Sequence, residues 1–281
     1  MIIDAHHHLW RFNAQDYAWI TPDDTPLRRN FVVDELTAMA AEAGLAGTIV
    51  VQARQSLDET RWLLDLSRQT TLIRGVVGWV PLADPELPSI LAALLPSRLV
   101  GVRHVVQGEA DPEFLLRPDI LRGLRTVSSC GLTYDLLVQA HQLPQAIRCV
   151  ERLKDASAPL RFVLDHGGKP AIRAGHHARW AADLARLARH ANVACKLSGL
   201  VTEADPTRWS VAEIEPYART ILETFGAQRV LFGSDWPVCL LGTSQRRWLD
   251  TVRTWIAHLS AAEQAAILGG NAVTWYQLET P

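Results

Sequence analysis

The chain has 281 residues, of which 48% are hydrophobic and 21% are charged. It can therefore bury a large core, and its composition excludes an intrinsically disordered protein. Its 28 basic and 30 acidic residues give a net charge of −2, so no basic field indicates nucleic-acid binding. The four cysteines are widely spaced and form no C-x-x-C pair, which is typical of buried free thiols rather than of a disulfide framework or a zinc knuckle.

The hydropathy of the chain bears on the cellular compartment in which we expect the protein. The residues after Met1 lack the basic segment and the apolar segment of a secretory signal peptide. No apolar run approaches the roughly 20 residues that span a bilayer. We therefore expect a cytoplasmic protein that has neither a membrane nor a nucleic acid as its partner. The sequence does not indicate an oligomeric state.

Eight short apolar segments rich in β-branched residues predict strands. They are Ile2–His8, Gly47–Ala53, Arg74–Val80, Leu99–Val106, Leu132–Val138, Arg161–His166, Val193–Ser198 and Arg229–Asp235. Near-continuous apolar strands of this kind are typical of a parallel sheet that is covered by helices.

Each predicted strand is followed by a segment with helical spacing of its apolar residues. The predicted helices are Val33–Ala43, Asp58–Gln69, Leu87–Leu95, Ile120–Ser129, Leu143–Lys154, His177–His190, Ala212–Phe225 and Gln245–His258, with a last helix at Ala261–Gly269. Eight strand–helix units predict an α/β fold, a distorted (β/α)₈ TIM barrel, in a single domain over residues 1–281. A doubly wound sheet is the alternative, but the chain lacks a G-x-G-x-x-G turn.

One connection is much longer than the others. About two dozen residues, from Leu9 to Val32, separate the first strand from the first helix, whereas barrel loops usually have a handful. The loop carries several aromatic residues, among them Trp10, Tyr17 and Trp19. It is either a lid that lines the pocket or an aromatic plug over the barrel rim, and the sequence fits both.

Polar residues stand at the predicted carboxyl ends of three strands, where functional side chains of a barrel project. His6 and His8 end the first strand and share one face of it, because residues i and i+2 lie about 7 Å apart on the same side. His166 ends the sixth strand and Asp235 the eighth, each after an apolar run. A carboxylate buried beside histidines is costly unless it is paired. We therefore predict that these four side chains meet at the barrel mouth.

The stretches around these residues resemble a known family. They read Asp4-Ala5-His6-His7-His8-Leu9-Trp10, Leu164-Asp165-His166-Gly167-Gly168-Lys169-Pro170, Lys196-Leu197-Ser198-Gly199 and Gly233-Ser234-Asp235-Trp236-Pro237. Together they resemble the amidohydrolase superfamily, and within it the branch that hydrolyses sugar lactones and includes L-fuconolactonases and L-rhamnonolactonases. The resemblance runs from the first strand to the eighth. It implies a carboxylic ester hydrolase of carbohydrate metabolism, such as L-fucose catabolism, that opens an aldonolactone such as L-fuconolactone to the sugar acid.

The expected reaction is a direct attack of water on the lactone carbonyl. Asp235 would orient and deprotonate the water as general base. His6, His8 and His166 would polarise the carbonyl oxygen and stabilise the oxyanion that develops on it. The small-molecule sugar lactone is thus the expected partner of the protein.

The resemblance does not extend to a two-metal site. Members of the superfamily with two metals place a carboxylated lysine on the fourth strand and a further histidine on the fifth, and both predicted strands here lack these residues. His6, His8, His166 and Asp235 form a set of three nitrogens and one oxygen that suits one Zn²⁺ with an open position. The sugar-lactonase branch is metal-independent, so we expect no required cofactor, with Zn²⁺ in the same pocket as the alternative.

Residues near the same strand ends are candidates for substrate binding. They are Arg103, His104, Trp10, Trp236, Lys196, Gln52 and Tyr134. Arg103 offers a planar, multidentate guanidinium group, and its neighbour His104 would face the opposite way, so one of the two points inward. Lys196 is one of only three lysines, and a lysine that is buried needs a partner.

Two other functions remain open from the sequence. One is a Zn²⁺-dependent amidohydrolase or decarboxylase of the same superfamily. The other is a non-catalytic sugar-binding barrel, which would have no need of an aspartate among three histidines.

Overall fold

The computed structural model describes residues 1–154 and 159–279 of the chain. Eight parallel strands lie side by side in chain order. They are β1 (Ile3–His7), β2 (Gly47–Val51), β3 (Ile73–Gly78), β4 (Leu99–His104), β5 (Thr133–Leu136), β6 (Arg161–Leu164), β7 (Val193–Leu197) and β8 (Val230–Phe232). The His8 amide donates to the Trp236 carbonyl at 2.7 Å, which joins the end of β1 to the segment after β8. The predicted TIM barrel is confirmed.

Helices connect the strands and cover the sheet. They are α1 (Val33–Ala43), α2 (Leu57–Gln69), α3 (Leu87–Leu94), α4 (Pro118–Ser129), α5 (Leu143–Arg152), α6 (Ala178–Leu187), α7 (Leu200–Glu203), α8 (Val211–Phe225), α9 (Gln245–Ile256), α10 (Ala261–Ala265) and α11 (Asn271–Trp275). The short helices α7 and α11 were not predicted, and the last predicted helix, Ala261–Gly269, is observed as α10 followed by a π-helical turn at Ala266–Gly270. Among the described residues, no helix is both long and apolar enough to cross a membrane.

Buried side chains form two layers, because neighbouring residues of a strand point to opposite faces. Val50 of β2 belongs to the large core between the strands and the helices. Ile49 and Val51 of the same strand belong to a second core, which also contains Trp275 and Tyr276 from the end of the chain. The chain after α10 therefore closes the amino-terminal end of the barrel and leaves the carboxyl end for the site.

The long loop after β1 packs as an ordered aromatic layer on the rim of the barrel. Trp10 and Phe31 exchange two backbone hydrogen bonds of 3.0 and 2.9 Å, and their rings pack edge to face at 5.2 Å. The hydroxyl of Tyr17 donates to Glu59 of α2 at 3.1 Å. Only Trp19, at 44% exposure, is a large exposed hydrophobic residue of this loop. The loop is thus built as a plug, and a lid action stays a prediction.

Candidate active site

Three histidines and an aspartate meet at the carboxyl end of the barrel. His6 Nε2 lies 3.2 Å from His8 Nε2, and Asp235 Oδ1 lies 3.6 Å from the first of these nitrogens and 3.4 Å from the second. The centre of the His166 ring lies 4.5 Å from that of His6. His6 is fully buried and the other three side chains belong to residues at most 5% exposed. The structure therefore brings together all four side chains that were predicted to meet.

The turns that carry two of these side chains lie just outside the strands. His166 has φ = 53° and Asp235 has φ = 59°, in the left-handed region that residues other than glycine seldom adopt. Asp4 Oδ1 accepts hydrogen bonds from the backbone amides of His6 at 3.1 Å and Ser234 at 2.8 Å. Asp4 thus ties β1 to the turn after β8. Backbone strain of this kind concentrates at functional sites.

The turn after β7 packs closely against His166. Ser198 Oγ lies 2.9 Å from His166 Nδ1, which orients the ring. The next residue, Gly199, has φ = 63°, and a Cβ atom built on it would lie 2.4 Å from His166 Nδ1. Only glycine has both the backbone freedom and the small size that this approach requires.

A buried ionic cluster lies beneath His6 inside the barrel. Lys196 Nζ lies 2.5 Å from Asp135 Oδ2 and 2.9 Å from Asp165 Oδ1, and Arg103 Nη1 lies 3.0 Å from Asp165 Oδ2. Two cations thus face two carboxylates, as charges inside a protein require. Sequence reasoning missed Asp135, although a lone acidic residue in a strand predicted to be buried is the signal that could have found it.

Burial and neighbouring charges set the protonation states of the site. Burial alone would raise the pKa of Asp235, but the charges of His166 and His6 and the nearness of His8 hold this pKa below its usual range. Burial lowers the pKa of His166 to about 4, although Asp235 opposes the shift. Burial is the main cause that lowers the pKa of His6 well below its usual value, and the charge of Lys196 is the next largest. Near neutral pH the site thus holds the Asp235 carboxylate beside the His6 and His166 imidazoles, whose basicity is low.

His8 presents a lone pair to the site. Its Nδ1 lies 2.8 Å from the carbonyl oxygen of Val51, which can only accept, so Nδ1 carries the proton of the neutral ring. Nε2 is then a hydrogen-bond acceptor. The expectation that His8 donates to a substrate carbonyl does not fit this tautomer, which suits His8 instead for holding a water hydrogen or a metal ion.

Three of the four predicted metal ligands have the spacing for one ion. His6, His8 and Asp235 each offer a ligand atom within 4.8 Å of the others, whereas His166 groups with His6 and Asp165. Two imidazoles and a carboxylate fit a Zn²⁺ ion that keeps open coordination positions. The hydrogen bond from His8 Nδ1 to a backbone carbonyl is also one that zinc-bound histidines make with their second nitrogen.

Arg103 points towards the barrel axis, and its neighbour His104 points away. Arg103 donates to Asp165 and to the carbonyl of Gln52 and is only 3% exposed. The His104 ring stacks on Phe114 at 4.6 Å between centres, and its Nδ1 accepts a hydrogen bond of 3.2 Å from Trp79. The prediction that His104 binds the substrate does not fit this orientation.

Tyr134 and Lys196 are also unable to reach a substrate in this structure. Tyr134 is fully buried on the face of β5 opposite to Asp135, and its ring packs edge to face against Phe162. Lys196 has no exposed surface and lies against Asp135, Asp165 and His6. Their positions do not favour the prediction of both as substrate ligands, because the alternation along β5 turns Tyr134 outward and the ionic cluster encloses Lys196.

The two predicted stacking residues, Trp10 and Trp236, pack against Phe31, whereas the polar candidate Gln52 has a free side-chain amide. Trp10 and Trp236 both pack edge to face on Phe31 with centres 5.2 Å apart and are at most 5% exposed, so neither offers a free face to a sugar. Gln52 follows β2, is fully buried, and its side-chain amide has no hydrogen-bond partner among the described residues. Among the described residues, Arg103 Nε and the Tyr134 hydroxyl also lack a partner, but of the predicted substrate ligands Gln52 is the one whose whole side-chain polar group is unused.

Comparison with known sequences places these features in a family. A family model described as amidohydrolase matches residues 3–278. The chain is 41% identical to an L-fucono-1,5-lactonase of Burkholderia multivorans, over 99% of this chain and 97% of that protein. It is 33% identical to an L-fucono-1,5-lactonase of Burkholderia ambifaria, over 99% of this chain and 96% of that protein.

Solved structures show the same similarity. A crystal structure of an amidohydrolase from Burkholderia multivorans with bound Zn matches with a TM-score of 0.95 and 40% identity, over 99% of this chain and 100% of that one. Amidohydrolase 2 from Bifidobacterium longum subsp. infantis matches with a TM-score of 0.73, over 99% of both chains. At 22% identity the second match bears on the fold alone.

Proposed function

Since the chain belongs to the amidohydrolase family, we propose that it is a sugar lactonase whose substrate is L-fucono-1,5-lactone or a closely related aldonolactone. The two relatives named L-fucono-1,5-lactonase, which align over almost the whole chain, indicate a lactone hydrolase and hence a carboxylic ester hydrolase. The observation that carries the proposal is the buried carboxylate of Asp235 among His6, His8 and His166. With L-fuconolactone as substrate, the reaction would belong to L-fucose catabolism.

The proposed reaction adds water to the lactone carbonyl. Asp235 takes a proton from the water, and the water oxygen forms a bond to the carbonyl carbon. When the tetrahedral intermediate collapses, the ring C–O bond breaks, and Asp235 returns its proton to the ring oxygen, which leaves as a hydroxyl group. The product is an open-chain sugar acid, which ionises at neutral pH.

We assign different tasks to the three imidazoles. His8 Nε2, which lies 3.4 Å from Asp235 Oδ1, accepts a hydrogen of the water and so helps to orient it. His6 and His166 lie together, 4.5 Å between ring centres, and donate hydrogen bonds to the carbonyl oxygen as it becomes negative. Preorganised donors of this kind contribute several kcal/mol to transition-state stabilisation.

We propose that this reaction requires no metal, because each task has a side chain to perform it. The site nevertheless fits one Zn²⁺, which His6, His8 and Asp235 would hold. When bound, a zinc ion would supply Lewis-acid polarisation of the carbonyl and a lower pKa of bound water. A relative's crystal structure with bound Zn makes this a question for experiment.

A screen of lactones tests the proposal. We expect the purified protein to release acid from six-membered aldonolactones, detected with a pH indicator, and to act fastest on L-fucono-1,5-lactone. Asp235→Asn keeps the size of the side chain but removes the base, and it should lower kcat by about 10²–10⁴-fold, the usual contribution of general base catalysis.

The same screen separates the alternatives. Equal acid release by the wild type and Asp235→Asn would overturn the assignment of the base. A protein that binds the sugar, with or without Asp235, and never releases acid would be a binding barrel rather than an enzyme.

A further inference from the structure

The ammonium group of Lys196 is buried directly beneath His6. Its Nζ lies 3.0 Å from His6 Nδ1, 2.5 Å from Asp135 Oδ2 and 2.9 Å from Asp165 Oδ1. An ammonium group has three N–H donors and no acceptor. Each donor thus has a partner within hydrogen-bond distance, and one of the three partners is a histidine nitrogen.

The contact with Lys196, at 3.0 Å the shortest that a cation makes with His6, favours one role for each nitrogen of the ring. Because Lys196 can only donate, His6 Nδ1 has to accept, and a ring whose Nδ1 accepts carries its proton on Nε2. Nε2 is the nitrogen that faces the site, 3.2 Å from His8 Nε2 and 3.6 Å from Asp235 Oδ1. The contact at one end of the ring thus makes the other end a donor.

Two longer contacts favour the opposite arrangement. Arg103 Nη1 lies 3.4 Å from His6 Nε2, and because a guanidinium group can only donate, this contact would make Nε2 the acceptor. Asp165 Oδ1 lies 3.3 Å from His6 Nδ1 and would accept a proton from it. Asp165 Oδ1 makes no hydrogen bond of good geometry among the described residues, but its carboxylate is ion-paired with Lys196 and Arg103. Arg103 Nη1 already donates to Asp165 Oδ2 at 3.0 Å, a shorter contact than its 3.4 Å to His6 Nε2. An N–H group at Nδ1 would also point at an ammonium group 3.0 Å away, so Lys196 decides between the two tautomers.

We propose that Lys196 is a positioning residue that holds His6 in its Nε2–H tautomer, which makes His6 a hydrogen-bond donor to the substrate and a weak metal ligand. The donor role rests on the lactonase function proposed above. The metal role does not, because a zinc ion binds the lone pair of an imidazole nitrogen and cannot bind one that carries a proton. Through the same contact with His6, Lys196 thus supports the metal-free reaction and weakens the binding of zinc.

A charge-balanced double variant tests this role. Lys196→Met together with Asp135→Asn removes one cation and one carboxylate, so Arg103 and Asp165 remain as a balanced pair. Without the ammonium group, Asp165 becomes the polar partner of His6 Nδ1 and should draw the ring proton to that nitrogen. Asp135→Asn alone is the matched control, because it leaves Lys196 between His6 and Asp165.

The first readout is the tautomer of His6, from NMR of protein with ¹⁵N-labelled histidine and with His6→Asn for assignment. We expect the proton on Nε2 in the wild type and in the control, and on Nδ1 in the double variant. A wild-type His6 protonated at Nδ1 would overturn the proposal, and this result needs no variant that might fail to fold. An unchanged tautomer in the folded double variant would overturn it as well.

The second readout is the affinity for Zn²⁺ alone, measured by competition with a chelating dye. The Kd of the double variant should fall at least tenfold, whereas that of the control should stay within twofold of the wild type. Equal affinity in all three proteins would contradict the proposal. Both readouts need no lactone, so they can fail or succeed whether or not the lactonase function holds.

Discussion

At the scale of single residues, Gly199 shows how closely the site is packed. A Cβ atom there would lie 2.4 Å from His166 Nδ1, so Gly199→Ala has to displace the His166 ring. Misplacing a catalytic group by about 1 Å can cost about 10²-fold in rate, and we expect a loss of kcat/KM of about that size. Steady-state kinetics on the best lactone of the screen measures it.

Gly175 provides the matched control for this substitution. Its φ of 66° is close to that of Gly199, but no atom lies within 4 Å of the position that its Cβ would take. Gly175→Ala should therefore cost only the left-handed backbone strain, about 1 kcal/mol of unfolding free energy, and leave kcat/KM unchanged. Equal losses of activity in the two variants would show that contact with His166 is not the cause.

The pH dependence of activity should follow the protonation of single side chains in the site. Asp235, with its pKa held below the usual range, stays ionised as the pH falls, whereas His166 becomes protonated near its lowered pKa of about 4. A protonated His166 would pair with Asp235 and reduce its basicity. We expect kcat/KM to fall near pH 4, where His166 becomes protonated. A pH profile with no fall in kcat/KM near pH 4 would contradict the assignment to His166.

At the scale of elements, the loop between β1 and α1 depends on Trp10. The residue is fully buried, and its indole nitrogen donates to two backbone carbonyls of the loop at 3.3 and 2.9 Å. Trp10→Ala should lower the free energy of unfolding by about 3–5 kcal/mol, as other buried tryptophans do. Denaturant unfolding followed by circular dichroism measures it.

Trp19 of the same loop is the control for this substitution. It is 44% exposed and packs edge to face against Trp10, so Trp19→Ala removes less buried surface and should cost clearly less stability. If both variants lost the same free energy of unfolding, the loop would not be anchored through Trp10.

The carboxyl ends of the strands were the least predictable part of the elements. The eighth strand was predicted to reach Asp235, but β8 ends at Phe232, and the sixth was predicted to reach His166, but β6 ends at Leu164. Both site residues lie in left-handed turns, which polar residues after an apolar run do not reveal. Hydrophobic periodicity locates a strand and leaves the residue at which it ends uncertain.

At the scale of the whole molecule, the barrel explains why four distant residues could be predicted to meet. Parallel strands in a closed barrel bring all their carboxyl ends to one side, so His6, His8, His166 and Asp235 needed only the correct fold. The contact between Lys196 and Asp135 could not be predicted in this way, because it depends on the stagger of non-neighbouring strands across the barrel axis. The choice between Arg103 and His104 likewise needed the coordinates.

In the proposed reaction, Asp235 and the histidines around it activate water without a metal ion. The most direct measurement is the turnover of L-fucono-1,5-lactone by protein that has been treated with a chelator until metal analysis finds no stoichiometric zinc, compared with the same protein after Zn²⁺ is added back. We predict that kcat/KM is unchanged by removal of the metal and does not rise when Zn²⁺ returns. Turnover that disappears with the metal and is restored only by Zn²⁺ would contradict the claim.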